Sequence, residues 1–597
     1  MTLTELLPEY LTSSSPTHLL LIAVPPLLVL YTIYVVIYRL YLGPLASIPG
    51  PRLAALTQWY EFYYDIILPG QYTFKICELH KEYGPIIRIN PWEVHISDPD
   101  FHRELLPAGT NRRRDRTHFW CDQFGAPGSV VSTVPHELHK LRRSAVNHYF
   151  STASVRNLQP VIEERVDALL ARLREHGKTK KQTPIDMLHP FAALAYDIIN
   201  EYAFAKAEHA GQNPVEHPTF RFDVTEGLTT GVQYGKLFQH IPILLTTLER
   251  LPPKFLAAIS PAYRSFLATR VSIAKQITDI SHNLHSSESS SSKGANHLDL
   301  SHPTIFHSLL TSDTLPPSEK TIPRIADEGH VLIQAGAVTV AWALAIATFH
   351  LLQQRDTTLR KLQAELRAAI PDPSESTPLA TLERLPYLKA VVKECFRLSL
   401  GSSSRITRVA PDEALKFTPS NICLQAYHHN NSPEEEEVVV KKYKKEWILP
   451  PGTEISMTSY QISANEEIFP DARSFRPERW LENKELDRYL TSFGAGPRAC
   501  LGMQLAYAEM YLALAKMWRV WEGGEQVGSD GLRLGEDDKV MAASEKEKGS
   551  AGGQLLTVGR MRLAEGVTQR DAELGVDWFI PAPYIGSQGV RVYFESH

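Results

Sequence analysis

Residues 493–502 read FGAGPRACLG and run straight into MQLAYAEMYLALAKMW. The apolar spacing and strong helix formers predict a helix over Gly502–Trp521. A cysteine placed just before a helix, as Cys500 is, lies beside backbone N–H groups without intrahelical partners and at the positive end of the macrodipole. Both favour thiolate over thiol. Gly494 and Gly496 permit tight turns, and Gly502 lets the helix backbone approach something flat. Arg498 is a fixed cation suited to a carboxylate. A lone cysteine is ordinarily a small buried hydrophobe, but these surroundings argue for a ligand-binding loop. The letters Gly494-x-Gly496-x-x-Ala499 also fit a loose dinucleotide fingerprint. That motif requires a buried strand before it and an acidic residue about 20 residues on, ending a second strand. Here DRYLTS is a poor strand, and the helix runs on to Trp521.

The rest of the 597-residue chain bounds what this loop serves. With 43% hydrophobic and 22% charged residues it is neither wholly disordered, nor collagen-like, nor a multi-span membrane protein. A net charge of -5 gives no basic field for nucleic acid. The five cysteines, Cys77, Cys121, Cys395, Cys423 and Cys500, are far apart, which excludes a zinc ribbon or a disulfide framework and suits a reducing compartment. Leu19–Tyr38 (LLLIAVPPLLVLYTIYVVIY) carries no charge until Arg39. At about 1.5 Å per residue it spans the hydrocarbon thickness, with Pro25 and Pro26 expected to kink it. Glu5 and Glu9 precede it, and Arg39 and Arg52 follow, which puts its C-terminal side in the cytosol. Pro44 and Pro49-Gly50-Pro51 form a stiff linker. We therefore expect an anchor at 1–42, a linker at 43–52 and a catalytic domain at 53–597.

Beyond the anchor, amphipathic helical patterns dominate: Val155–Glu175, Pro323–Leu352, Leu359–Ile370 and Leu382–Leu400. Strand patterns cluster near Ile86–Ile96 and Glu454–Thr458. The class is mainly α with a small β lobe. Three segments break the pattern and are expected as solvated insertions: 286–296, 428–446 and 523–567.

The loop Phe493-Gly494-x-Gly496-x-Arg498-x-Cys500-x-Gly502 resembles the haem-binding signature of the cytochrome P-450 family. Further segments match that family in order: His139-x-x-x-Arg143, Ala335-Gly336-x-x-Thr339, Glu394-x-x-Arg397, and Phe475-Arg476-Pro477-Glu478-Arg479-Trp480. The resemblance implies the mainly helical cytochrome P-450 fold behind one N-terminal transmembrane helix, with haem b held by Cys500 as iron ligand. Thiolate donation favours O–O cleavage. It implies that Phe493, Arg498 and Gly502 contact the haem, with His139 and Arg143 on its propionates, and Arg408 in preference to Arg405. Zinc on His136 and His139 fails, because those histidines are three apart rather than four. Glu394, Arg397 and Arg479 are expected as a structural lock, since Glu394 and Arg397 share a helix face and two arginines can satisfy one buried carboxylate. Thr339 is the expected catalytic hydroxyl, beside a Gly336 that opens an oxygen groove. The acidic residue that usually precedes this threonine is Val338 here, with Gln334 one turn away to orient a water.

The implied partners are O2, an NADPH-cytochrome reductase, membrane lipid and a small lipophilic substrate, with no nucleic acid. The location is the endoplasmic reticulum membrane, single-pass, with a cytosolic catalytic domain. The pocket is expected from Phe119–Val131, the Thr339 groove, Ser402–Val409 and the tail near Ile585. GPLASIPGPRLAALT and KEYGPIIRINPWEVHI resemble fungal secondary-metabolism members such as trichodiene oxygenases, hence a terpenoid or polyketide substrate. A haem-thiolate isomerase or dehydratase without external electrons, and a catalytically silent haem-binding membrane protein, stand as alternatives.

Overall fold

The computed structural model describes residues 16–107, 112–179, 183–204, 213–220, 222–248, 250–252, 255, 260–289, 304–427, 433–523 and 558–596. Its centre is a 32-residue helix, Ile322–Gln353, sealed by protein along most of its C-terminal half. This helix passes a composition test for spanning a membrane, at mean hydropathy 1.9, but it is a core helix. We label the helices that build the site α1 (Pro16–Ile37), α2 (Tyr72–Tyr83), α3 (His118–Asp122), α4 (His136–Asn147), α5 (Gln159–Gly177), α6 (Leu188–Phe204), α7 (Phe222–His240), α8 (Pro261–Ser289), α9 (Ile322–Gln353), α10 (Arg360–Ala369), α11 (Pro386–Ser399) and α12 (Met503–Val520). Helices α6, α8, α11 and α12 pack around α9. The expected helix over Val155–Glu175 breaks at Leu158, because Pro160 starts α5 in the first turn, where its missing N–H costs nothing.

The strands form several small sheets rather than one lobe. One sheet runs in the order β1 (Ile86–Arg88), β2 (Glu93–Ile96), β7 (Glu454–Met457), β4 (Ile406–Val409). A second runs β3 (Ile185–Asp186), β12 (Arg591–Ser596), β9 (Gly559–Leu563), β8 (Trp521–Gly523). Two hairpins complete the set, β5 (Leu415–Phe417) with β6 (Trp447–Leu449) and β10 (Val576–Trp578) with β11 (Ile580–Ala582).

Helix α1 continues through Pro25 and Pro26 and closes in a wider turn at Tyr38–Leu42. Val24–Leu42, 19 residues with mean hydropathy 1.5, is unburied by protein and long enough to cross a bilayer. The linker does not hang free. The Arg88 N–H donates to Pro49 at 2.7 Å, and a Cβ on Gly50 would meet the Arg88 carbonyl at 2.4 Å. Arg39 donates to the Leu56 carbonyl and lies over the Trp92 ring, 5.3 Å from its centroid.

Two of the expected insertions carry ordered structure. Within 428–446, Pro433–Tyr443 is a helix with Val439 buried, and the Tyr443 ring packs at a tilt against Tyr427. The 523–567 excursion ends early, because β9 pairs in parallel with β8 and buries Met561 and Leu563 on alternate positions. Residues 524–557 and most of 286–296 lie outside the described residues; 286–289 continue α8.

Candidate active site

The cysteine loop is held by its own backbone and by α11. The Cys500 N–H donates to Phe493 O at 2.8 Å, and the Gly494 N–H to Thr491 O at 2.9 Å. Gly494 and Gly496 take φ of +63° and +70°, and a Cβ on Gly496 would meet the Pro107 carbonyl at 2.7 Å. The Phe493 ring packs edge-on to Phe396 of α11 (4.8 Å) and beside Tyr507 of α12 (5.4 Å). Cys500 lies deep in the protein yet is accessible, so it lines interior space rather than the outer surface. Burial pushes its thiol up; a hydrogen bond from the Gly502 amide and the Arg143 charge pull it partly back.

Beneath the loop, Glu394 is fully buried and collects five donors. These are Arg397 Nε (2.9 Å) and a terminal Arg397 nitrogen (2.8 Å), Arg479 Nε (3.1 Å), the Arg476 amide (3.0 Å) and Trp480 Nε1 (2.9 Å). Arg397 also donates to the carbonyls of Ser463 and Ala472. Burial would raise the Glu394 carboxyl, but Arg397, Arg479 and the Arg476 amide together outweigh it and hold it below its ordinary value. Trp480 was missed as the fifth donor, although its position one residue after Arg479 was visible.

A buried cationic wall stands beside the loop. Arg498 gives its donors to the carbonyls of Arg114, Thr133 and Val134. Arg143 donates to Ala499 O, Arg408 to its neighbour Thr407 O, and Arg116 to Val131 O. Burial first, then the neighbouring cations, pulls Arg116 well below its usual value, Arg408 to about 9 and His139 to about 2; burial likewise lowers Arg498 to about 10. The Nδ1 of His139 has no partner among the described residues. Arg405, in contrast, is spent on Glu93 (2.7 and 3.0 Å) and Glu61 (2.6 Å). Arg116 is a member of this wall that sequence reasoning missed inside the run Arg112–Arg116.

Helix α9 bares a stripe on one face. Leu332, Ala335 and Thr339 are accessible at positions i, i+3 and i+7, although the helix is enclosed by protein. Thr339 Oγ1 donates to Ala335 O at 2.8 Å. A Cβ on Gly336 would meet Ile199 of α6 at 3.1 Å, so the glycine lets α6 approach closely, while its part-exposed backbone shares the face of Leu332 and Thr339. The Gln334 amide gives one N–H to Leu228 O of α7 at 3.0 Å. Val338 is packed into the core.

At the pocket end, Trp120 and Phe124 of the α3 region meet Phe579, the apex of the β10–β11 hairpin, with centroids 5.7 and 4.9 Å away. Ile585, expected to line the pocket, is 70% exposed; Phe579 takes the place assigned to it. Glu61, Asp65 and His240 are close enough to share a cation, but Lys236 at 3.5 Å from Asp65 and Arg405 on Glu61 already supply positive charge there.

The residues around Cys500 fit a flat, dianionic prosthetic group. Buried cations with no carboxylate hydrogen-bonded to them, an orphaned His139 nitrogen and open space beside Gly494 and Gly502 match two propionates and a macrocycle edge. A mainly helical fold with an accessible thiol on a cationic loop, and a core helix that bares a threonine, suits a haem-thiolate protein. The chain belongs to the cytochrome P-450 family, whose family model matches residues 56–417 and 437–523, and it is a monooxygenase of that family.

It is 40% identical over 566 residues to the cytochrome P-450 monooxygenase tpcC of Cochliobolus heterostrophus, covering 94% of this chain and 95% of that one. It is 36% identical over 498 residues to the cytochrome P-450 monooxygenase TRI4 of Fusarium sporotrichioides, covering 83% and 87%. A third relative, tryptophan 6-hydroxylase fscE of Fusarium equiseti, is 33% identical over 560 residues, covering 93% of each. The likeness to fungal secondary-metabolism oxygenases is thus shown across nearly the whole chain.

Proposed function

We propose that this protein is a membrane-anchored monooxygenase that oxidises a small lipophilic secondary metabolite, a terpenoid or polyketide, using haem b, dioxygen and electrons from an NADPH-cytochrome reductase. The observation that carries the reading is the pairing of an accessible Cys500 with a cationic wall that has no carboxylate of its own. When bound, haem supplies activation of dioxygen for insertion of one oxygen atom into the substrate. Cys500 would hold the iron, and Arg116, His139, Arg143, Arg408 and Arg498 the propionates. Phe493 and Gly502 would flank the macrocycle, while Glu394, Arg397 and Arg479 keep the loop in place. Thr339 offers a hydroxyl in the bared stripe, and the rings of Trp120, Phe124 and Phe579 make an apolar wall. Helix α1 would cross the endoplasmic reticulum membrane once, with Arg39 and Arg52 holding the catalytic domain in the cytosol.

Val338 is the observation that favours a second reading, an isomerase or dehydratase that needs no external electrons. One experiment separates the two. The gene is deleted in the host, the metabolite that accumulates is isolated, and it is incubated with membranes holding the protein and reductase under ¹⁸O2. A product carrying one ¹⁸O, formed only with NADPH, supports the monooxygenase. Conversion at full rate without NADPH or label replaces it by the second reading.

A further inference from the structure

The β10–β11 hairpin turns on a single residue. Trp578 pairs with Ile580, and Phe579 between them takes φ +75°, a conformation that only glycine adopts freely. Its backbone is pinned at both ends. The Phe579 N–H donates to Asp577 Oδ1 at 2.9 Å, and its carbonyl accepts from the Ser403 N–H at 2.9 Å. Asp577 itself is almost wholly buried. Oδ1 also accepts from Ser403 and Ser404, both at 2.7 Å, and Oδ2 from Thr73 of α2 at 2.5 Å, with Lys236 of α7 at 4.0 Å.

One carboxylate therefore joins the hairpin apex to the turn before β4, to α2 and to α7. The same turn presents Ser402, whose buried Oγ has no partner. The half-buried Phe579 ring stands edge-on to Phe124 and Trp120, at 86° and 80°, and β11 touches α9.

We propose that Asp577 is a positioning residue, which locks Phe579 in its strained conformation as an aromatic wall of the substrate pocket and so selects flat, aromatic or polycyclic ligands over small ones. This rests on the haem-thiolate reading of Cys500. The Phe579 backbone bonds offset the strain that a glycine would avoid, and the carboxylate holds the ring in place. Ser402 adds a hydroxyl at the same wall for a substrate oxygen.

The test uses the full-length, haem-loaded protein and two probes read by the Soret shift, imidazole and 4-phenylimidazole. The red-shifted Soret band of the reduced carbon-monoxide complex is recorded first; its absence in the wild type would sink the haem-thiolate reading, separately from this proposal. An aromatic pair is worth ~0.5–1.5 kcal/mol, so Phe579→Ala and Asp577→Ala should each weaken 4-phenylimidazole about two- to ten-fold while leaving imidazole unchanged. Asp577→Ala/Phe579→Ala should bind no more weakly than Phe579→Ala alone, because both act through one ring. Asp577→Asn keeps an acceptor for the Phe579 N–H and should recover part of the affinity. Equal weakening of both probes, multiplying effects in the double variant, or wild-type binding by Asp577→Ala would overturn the proposal. Should Asp577→Ala fail to hold haem, Asp577→Asn decides alone: a loss confined to 4-phenylimidazole supports the assignment, and none refutes it.

Discussion

Replacing Glu394 by glutamine tests the lock beneath the cysteine loop. The change is nearly isosteric, so it leaves no cavity. It removes one negative charge and aims an NH2 group at donors that now meet an oxygen. Arg397 is fully buried and Arg479 nearly so, and both lose their counter-charge. Removing one partner of a buried ion pair costs ~3–5 kcal/mol, against a typical total stability of ~5–15 kcal/mol.

The damage is directed at the cofactor site. Glu394 binds the 476–480 segment to α11, the Ser492 hydroxyl donates to Phe396 O of α11 at 2.6 Å, and Phe396 packs on Phe493. We expect Glu394→Gln to express with most of its haem lost, measured as the ratio of carbon-monoxide complex to total protein. Glu394→Asp, which keeps the charge but shortens the reach, should fall between. The pH dependence has a definite sign. The folded carboxyl lies below its ordinary value, so its stabilisation is complete above the unfolded pKa of about 4.3 and is lost as pH falls through the folded value. The gap in melting temperature between wild type and Glu394→Gln should therefore be widest near neutral pH and close on acidification. A Glu394→Gln protein that loads haem fully and melts with the wild type at pH 7 would refute the argument.

Cys500→Ala should lose the red-shifted Soret band of the carbon-monoxide complex; retention of the band would move the ligand elsewhere. Removing residues 1–42 should release the protein from membranes with haem still bound, and loss of haem on truncation would show that the segment belongs to the core. Thr339→Ala should raise peroxide release per NADPH consumed and lower product, as read by oxidase and product assays. An unchanged rate that still requires NADPH would leave the oxygenase standing and remove Thr339 from the proton route.

The parts of the site legible in the sequence are those encoded by local spacing. The cysteine loop, the Glu394–Arg397 turn and the His139–Arg143 turn each fit within one helical turn or one tight loop, where residue type and interval fix geometry. Arg116 was not legible, because nothing local distinguishes the arginine that turns inward from Arg112 and Arg113, which pair with Glu104 and Asp115 near the surface. The approach of α6 to Gly336 was not legible either, because a glycine in a helix admits a ligand or a neighbouring helix, and only tertiary packing shows Ile199 beside it. The β9 strand was hidden beyond a low-complexity stretch, and its parallel partner β8 lies 36 residues upstream, counting from Gly523 to Gly559.

Val338 weighed most heavily for a reaction without external electrons, and its surroundings reduce that weight. A residue at 338 lies about 100° around the helix from Thr339. Here it is 6% exposed and packed in the core, whereas the accessible stripe is Leu332, Ala335 and Thr339. A carboxylate at 338 in this backbone would have to be desolvated, and burial would keep it protonated near neutral pH. Valine at this place satisfies packing and says little about proton supply at the stripe. Thr339 is the group that bears on that question. Its hydroxyl hydrogen is given to Ala335 O, which leaves its oxygen lone pairs free. In this arrangement it accepts a hydrogen bond from a water or a substrate hydroxyl; to donate a proton it must first release the helix carbonyl. Proton delivery past Thr339 then runs through a rotation of its side chain, a water held on its oxygen or a donor brought in by the substrate, and a substrate lacking a hydroxyl should be the more uncoupled of two otherwise matched ligands.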